Sequence, residues 1–158
     1  MTRAGLGFDL HPTVAGRPLV LGGVTVPAER GLGGHSDADV LTHAVCEALL
    51  GAMALGDLGR LFPDTDPRYK GVSSLALLRS VMELLAAKGA RLVNVDATVI
   101  CQSPRLGPFL PEMAKQLAAS LDVDPGCVSV KAKSPERLGL LGREEGIAAM
   151  AVASVEAP

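Results

Sequence analysis

The chain has no tryptophan, one tyrosine and three phenylalanines, so aromatic residues occupy only 3% of its 158 positions. A surface so poor in rings offers no platform on which nucleic-acid bases could stack. Charge of one sign is missing too: 15 basic residues face 17 acidic ones, and the lysines and arginines are scattered rather than gathered into a stripe. Both deficits argue against a nucleic-acid partner. No apolar run reaches the roughly 18 residues needed to cross a bilayer, and the opening Met-Thr-Arg-Ala-Gly-Leu-Gly has no signal-peptide apolar region. A soluble, cytoplasmic protein with no membrane partner is therefore expected. Cysteine is scarce: Cys46, Cys101 and Cys127 are odd in number, widely spaced and free of any Cys-x-x-Cys pattern. Neither a disulfide framework nor a thiolate zinc site follows, and all three are read as buried thiols. Asparagine occurs once, which hints at a high-temperature or GC-rich source and says nothing of function.

What remains is 48% hydrophobic and long enough to bury one core, so residues 1–158 are expected to form a single domain with no second module. Residues 3 to 9 read as a strand, and Arg17 to Val26 as a hairpin turning at Gly22-Gly23. Ser36 followed by Asp39 resembles a capping box that opens a helix running to about Leu55, with Gly56 ending it. Residues 57 to 71 carry too many breakers for an element and read as a long ordered loop, a kind that is often functional. Ser73 or Ser74 caps a helix through Lys88. Val93, Val95, Ala97 and Val99 then alternate with polar residues in a strand reaching Cys101. Pro108 or Pro111 starts a helix to Leu121, Val128 to Lys133 forms a strand, and Gly146 to Val155 a last one. This order predicts an α+β fold, a mixed β-sheet with helices packed on one face. The last strand is apolar on both faces, which predicts that other subunits cover the second side of the sheet in a homo-oligomer.

All three histidines fall within the first 43 residues, each close to an aspartate: Gly5-Leu-Gly-Phe-Asp-Leu-His11, His35-Ser-Asp-Ala-Asp39 and His43. Asp9 and His11, two apart on a strand, leave the same face. His43 follows Asp39 at helical i, i+4 spacing, so a third ligand is available. Asp with two His suits Zn²⁺, and three protein ligands would leave a fourth position open for substrate. An Asp-x-His pair and a helical histidine are equally consistent with ordinary hydrogen-bonded side chains. Asp57, Asp64 and Asp66 supply carboxylates on one loop, where at least one should bond its own backbone as an Asx-turn while others could hold hydroxyls. His35 and Ser36 precede a helix start, which favours a phosphate, although Ser36 could serve only as an N-cap. Near the end, Glu136 offers the oxygen that a hard cation such as Mg²⁺ accepts together with substrate phosphates.

Taken in order, Gly-x-Gly-x-Asp-x-His, Leu-Gly-Gly-Val, His-Ser-Asp-x-Asp-Val-x-x-His-Ala, Ala-Leu-Gly-Asp-x-Gly-x-Leu-Phe-Pro-Asp-Thr-Asp-Pro, Asn-Val-Asp and Gly-Arg-x-Glu-Gly-Ile closely resemble the 2-C-methyl-D-erythritol 2,4-cyclodiphosphate synthase family over essentially the whole chain. The resemblance implies a phosphorus-oxygen lyase of the non-mevalonate isoprenoid pathway. It would convert 4-diphosphocytidyl-2-C-methyl-D-erythritol 2-phosphate to the cyclic diphosphate and CMP. It implies a ferredoxin-like sandwich assembled as a homotrimer, sheets facing the centre and active sites between neighbours. Asp9, His11 and His43 would bind zinc and Glu136 magnesium or manganese. His35, Ser36, Lys133 and Ser134 would hold phosphate, Asp57 and Gly59 the ribose, and Asp64 and Asp66 would lie in the methylerythritol loop. Cytosine would sit against Cys101, Gln102, Ser103, Pro104, Arg105, Leu106 and Ala132. Phe8, Arg143 and Glu145 would face a central trimer cavity, where relatives can hold an isoprenoid diphosphate. The chain departs from the family's common residues at Cys101, Ser103, Arg105, Lys133-Ser134-Pro135, Leu140 and at Glu144, where glycine is common. The competing readings are a non-catalytic trimeric protein that binds an isoprenoid diphosphate, and a metal-dependent pyrophosphatase that uses water as nucleophile.

Overall fold

Glycines at positions 5 and 7 set how closely the first helix can approach the first strand. The computed structural model describes residues 1–158. Strand β1 spans Thr2–Ala15 and helix α1 spans Val40–Ala52. A Cβ on Gly5 would lie 2.0 Å from the carbonyl oxygen of Ala48, and one on Gly7 would lie 1.9 Å from that of Ala44. The helix therefore rests on the strand backbone itself, with Ala44, Ala48 and Ala52, four residues apart, on the contacting side. Along β1 the alternation is strict: Gly5, Gly7, Asp9 and His11 share the helix side, and Leu6, Phe8 and Leu10 share the opposite side.

Strands β2 (Leu19–Leu21), β3 (Val24–Val26) and β4 (Arg30–Leu32) precede α1. After it come α2 (Leu58–Leu61), α3 (Ser74–Ala87), β5 (Arg91–Ile100), α4 (Leu110–Leu121), β6 (Val128–Lys133), α5 (Gly139–Gly142) and β7 (Gly146–Glu156). The sheet order is β4-β1-β7-β5-β6, with only β5 and β6 parallel. β1 pairs with β7 from Thr2 to Pro12 and with β4 from Thr13 to Ala15, so one long strand serves both parts of a curled mixed sheet. Helices pack on one face, as expected. The connection from β1 to β5 spans the intervening β7, a split βαβ of the ferredoxin-like kind, whereas β5-α4-β6 joins neighbouring strands.

The hairpin forms as the sequence predicts: Gly22 and Gly23 have φ of +57° and +74°, the pair that a two-residue I′ turn demands. Its turn is tied to α1 by Asp39. The Asp39 carboxylate accepts the amides of Gly22 and Gly23 at 2.9 and 2.8 Å, the Thr42 amide at 3.0 Å and the Thr42 hydroxyl at 2.7 Å.

Several boundaries differ from the sequence reading. Asp39, not Ser36, caps α1, because Asp39 alone reaches both the first turn and the hairpin. α1 ends at Ala52 rather than Leu55, since Ala54 takes the left-handed conformation, φ +54°. β1 runs on from residue 9 to Ala15, pairing with β7 as far as Pro12 and with β4 from Thr13. The 57–71 loop contains α2 and a 3₁₀ turn at Pro67–Tyr69. A register shift between Leu92 and Asn94 breaks the alternation, so Val93 is exposed while Val95, Ala97 and Val99 are buried. Cys46 and Cys101 are buried, but Cys127, ending a 3₁₀ turn, is only partly covered.

The second face of the sheet lacks cover within the chain. Leu6, Phe8, Leu10, Met150 and Val152 are 42–64% exposed, and the pairing of Leu6 with Val152 and Phe8 with Met150 makes them contiguous. Gly7→Ala should destabilise the protein by about 3 kcal/mol, the upper end of overpacking costs, in urea titrations. Gly107→Ala, whose Cβ meets nothing within 4 Å, should stay within about 0.5 kcal/mol of wild type. Equal effects of the two would contradict the packing described.

Candidate active site

The direct contact of α1 with β1 delivers His43 from the helix to Asp9 and His11 on the strand. His11 Nε2 and His43 Nδ1 lie 2.8 and 3.0 Å from the same oxygen, Asp9 Oδ2, and 3.2 Å from each other. Three donor atoms thus form a near-equilateral triangle. A tetrahedral ion with bonds of about 2.0–2.1 Å needs ligand edges of about 3.3 Å, so the triangle closes slightly short of that geometry. The other ring nitrogens are committed elsewhere: His11 Nδ1 donates to the Gly33 carbonyl at 2.6 Å, and His43 Nε2 lies 2.8 Å from Ser74 Oγ and 3.2 Å from Ser36 Oγ. With those nitrogens carrying the ring protons, both lone pairs point at the carboxylate oxygen, and a cation is the natural occupant of that point. The donor set of one carboxylate and two imidazoles fits zinc.

The local loops hold this arrangement. Gly33 donates to Pro12 at 2.8 Å, and Arg17 spans the carbonyls of Gly34 and Ser36 at 2.5 and 2.7 Å. Glycine at 34 leaves room for the His11 ring, whose nearest atom lies 3.0 Å from where a Cβ would be. Burial opposes a charge on Asp9, but the hydrogen bonds and charges of His11 and His43 outweigh it and hold that carboxyl well below the usual range. Burial likewise opposes a charge on His11, yet Asp9 raises it above the ordinary 6.5.

The triangle opens on a cleft of about 500 Å³ that also presents His35, Ser36, Glu47, Gly59, Asp64 and Tyr69. Ser36 Oγ accepts the Ala38 amide at 3.2 Å and keeps its proton for a ligand, and the amides of His35 and Ser36 donate to no group of the chain. His35 Nε2 is 3.0 Å from the Asp66 carbonyl, leaving Nδ1 for the cleft. Glu47 was not singled out from the sequence, although it stands one helical turn beyond His43. Its carboxylate accepts the Leu58 amide at 2.9 Å, and burial, ahead of the charges of Asp57 and Asp9, pushes its pKa up.

The loop aspartates divide. Asp57 caps α2 by accepting the Arg60 amide at 2.8 Å, and Asp66 grips the Arg68 amide and guanidinium, so both carboxylates shape backbone. Asp64 and Gly59 face the cleft.

A second cleft of about 670 Å³ gathers Cys101, Gln102, Pro104, Arg105, Leu106, Ala132, Lys133, Ser134 and Glu136 and shares no lining residue with the first. Ser103 turns to a neighbouring hollow, and its carbonyl accepts the Cys101 thiol at 3.2 Å. Burial pushes that thiol up to about 11, so it stays neutral. Glu136 and Arg137 both take positive φ, +55° and +61°, in a turn held by Ser134 Oγ and Gln102 Oε1 at 3.0 and 2.9 Å. Two adjacent strained residues over a cleft are a sign of a binding loop. Phe8 lies on the uncovered sheet face, and Arg143 pairs with Glu145 at 2.6 Å on the surface just before β7. Glu144 has φ +60°, the conformation in which glycine is unstrained.

The YgbB family model matches residues 2–156. The 2-C-methyl-D-erythritol 2,4-cyclodiphosphate synthase of Syntrophobacter fumaroxidans is 58% identical over 150 residues, 95% of this chain and 94% of that protein. Among solved structures, the bifunctional IspDF of Campylobacter jejuni aligns with a TM-score of 0.96 at 40% identity; the match covers all of this chain and 43% of that one. IspF of Plasmodium falciparum, solved as a CDP complex, aligns with a TM-score of 0.86 at 30% identity over 99% of this chain and 96% of that one.

The shifts at His11 and Asp9 give the metal-free protein a defined pH response. His11's raised pKa contributes stability that is full below the ordinary 6.5 and is lost as pH rises from there through the raised folded-state pKa. Asp9's lowered value contributes stability present above pH 3.8 and lost as pH falls. The margin in Tm of wild type over His11→Gln, measured with chelator present, should therefore shrink as pH rises above 6.5. The increment in Tm that zinc gives wild type should grow over the same interval, because ligands must lose protons. A margin that widens with pH in chelator would contradict the assignment.

Proposed function

The chain belongs to the YgbB family, and on that premise we propose that it is a phosphorus-oxygen lyase of isoprenoid biosynthesis. It converts 4-diphosphocytidyl-2-C-methyl-D-erythritol 2-phosphate to 2-C-methyl-D-erythritol 2,4-cyclodiphosphate and CMP. The observation that carries this reading is the convergence of Asp9, His11 and His43 on one point in a cleft that also presents His35, Ser36, Glu47 and Asp64.

An oxygen of the 2-phosphate forms a bond to the β-phosphorus while the bond from that phosphorus to CMP breaks. Anion meets anion, and two unit charges at 4 Å repel by about 4 kcal/mol at an effective dielectric of 20. A cleft bearing Asp9, Glu47 and Asp64 cannot offset that unaided. When bound, divalent ions supply charge neutralisation and alignment of the diphosphate. Asp9, His11 and His43 would hold zinc, and Glu136 would hold magnesium or manganese. Ser36 donates its free hydroxyl proton to a phosphate oxygen, and the amides of His35 and Ser36 add donors beside it. A phosphate nucleophile is already ionised at neutral pH, so no side chain is required as a general base.

The zinc ligands and Glu136 lie in separate clefts of one chain. We read this, together with the uncovered apolar face on Leu6, Phe8 and Met150, as a homotrimer. In it the first cleft of one subunit, with Gly59, Asp64 and the loop shaped by Asp57 and Asp66, meets the second cleft of a neighbour. Lys133 and Ser134 then reach the diphosphate, and cytosine rests on the Cys101–Leu106 turn and Ala132. Phe8, Arg143 and Glu145 surround the centre, where an isoprenoid diphosphate is the candidate ligand. Cytoplasmic location belongs to the same reading. A purely binding protein would need no open metal position, which disfavours that alternative.

Incubation with the substrate, Mg²⁺ and zinc should yield CMP and the cyclic diphosphate by ³¹P NMR. CMP with only a linear product would mean hydrolysis, and no turnover by metal-loaded protein would restore the binding-protein reading. His43→Ala should abolish turnover, whereas Asp66→Ala, by loosening the loop that contacts His35, should mainly raise KM. An unchanged KM in the second variant would contradict that division.

A further inference from the structure

His43 reaches the metal point through Nδ1, and the polar groups behind its ring determine whether that nitrogen carries a lone pair or a proton. The nearest is Ser74 Oγ, 2.8 Å from His43 Nε2. Ser74 opens α3, and its hydroxyl also contacts Asp37 Oδ1. Asp37 Oδ2 accepts the Ser74 amide at 2.9 Å, and Oδ1 accepts the Asp39 amide at 3.1 Å. The Asp37 carboxylate is thus anchored at three points and accepts at each of them.

A hydroxyl has one proton. Its close contact with the carboxylate commits that proton to Asp37, so the Ser74 oxygen presents a lone pair to His43. His43 must then carry its proton on Nε2, which leaves Nδ1 free to ligate. Ser36 Oγ is the only other group near Nε2; it is more distant, 3.2 Å, and already accepts the Ala38 amide. The corresponding anchor for His11 is a backbone carbonyl, Gly33, which no substitution removes. The His43 side of the centre alone depends on side chains.

We propose that Asp37 and Ser74 are positioning residues of the metal centre: Asp37 orients the Ser74 hydroxyl, and Ser74 in turn fixes His43 with its Nδ1 lone pair toward the ion. This rests on the metal reading above. Neither residue lines the cleft. Partners behind a ligating histidine are commonly worth 10- to 100-fold in metal affinity.

The test is the zinc Kd, measured by competition with a chromophoric chelator. Ser74→Ala should raise the Kd 10- to 100-fold while keeping the Ser74 amide bond that caps α3, and Ser74→Thr, which restores a hydroxyl, should return it to within about threefold of wild type. Asp37→Asn presents an amide that can donate to Ser74 Oγ and release the hydroxyl proton toward His43, so it too should weaken zinc binding. In zinc-loaded wild type, NMR should show a slowly exchanging His43 Nε2–H with a cross-peak to the Ser74 Hβ protons, a readout independent of whether the alanine variant folds. A folded Ser74→Ala protein that binds zinc as wild type does, a threonine variant as weak as alanine, or absence of that protected proton would overturn the relay. Failure of wild type itself to bind zinc would overturn the underlying metal reading instead.

Discussion

The backbone contact between β1 and α1 is the constraint on which the other features depend. Gly5 and Gly7 have no side chain on the face that meets Ala44, Ala48 and Ala52, so helix and strand approach until a methyl group would overlap a carbonyl oxygen. That distance is what allows a helical histidine and two strand residues to converge within hydrogen-bond range. A larger residue at either glycine would push α1 outward, and the short reach of an imidazole could not recover the lost distance. The hairpin adds a second restraint at the same end of the helix, because Asp39 binds both the Gly22-Gly23 turn and the first turn of α1. Asp39 is completely buried, and burial, opposed by its four donors, leaves its pKa above the ordinary value.

From that geometry the chemistry of the first cleft follows. The chain aims two imidazole lone pairs at a carboxylate oxygen and surrounds them with more acid than base, an environment that selects a cation before any anion. Arg17 acts at the rim, holding carbonyls of the Gly34–Ser36 loop rather than lining the cleft. The amides of His35 and Ser36 remain available to the ligand. The second cleft is different in kind: its acid, Glu136, stands on a turn of two left-handed residues, beside Arg105 and Lys133. The separation of these two clefts on one chain and the uncovered apolar far side of the sheet are the observations on which the proposed homotrimer rests.

Local signals in the sequence are legible wherever the structure is locally determined. The Gly22-Gly23 turn, the shared face of Asp9 and His11, and the β5-α4-β6 unit follow from residue type and period alone. The errors arise where distant groups decide. Ser36 and Asp39 are equally good caps by composition, and only the hairpin, 16 residues before Asp39, separates them. The end of α1 appears apolar and helical through Leu55, yet the chain turns at Ala54 without a glycine to announce it. Val93 fits the period of β5, but the shift beside it reverses its face. Within the site, Asp9, His11 and His43 are visible because they are the scarce histidines and their neighbour. Glu47 could have been found from its i+4 spacing to His43. Asp37 and Ser74 could not, being 37 residues apart with no shared pattern.

X-ray absorption at the zinc edge, on protein carrying one equivalent of the metal, tests most directly that the helix-on-strand contact builds a ligand set from Asp9, His11 and His43. The account predicts a four-coordinate ion with two imidazole nitrogens and oxygen ligands at about 2.0–2.2 Å. A sulfur shell at about 2.3 Å, or a spectrum without imidazole scattering, would contradict it.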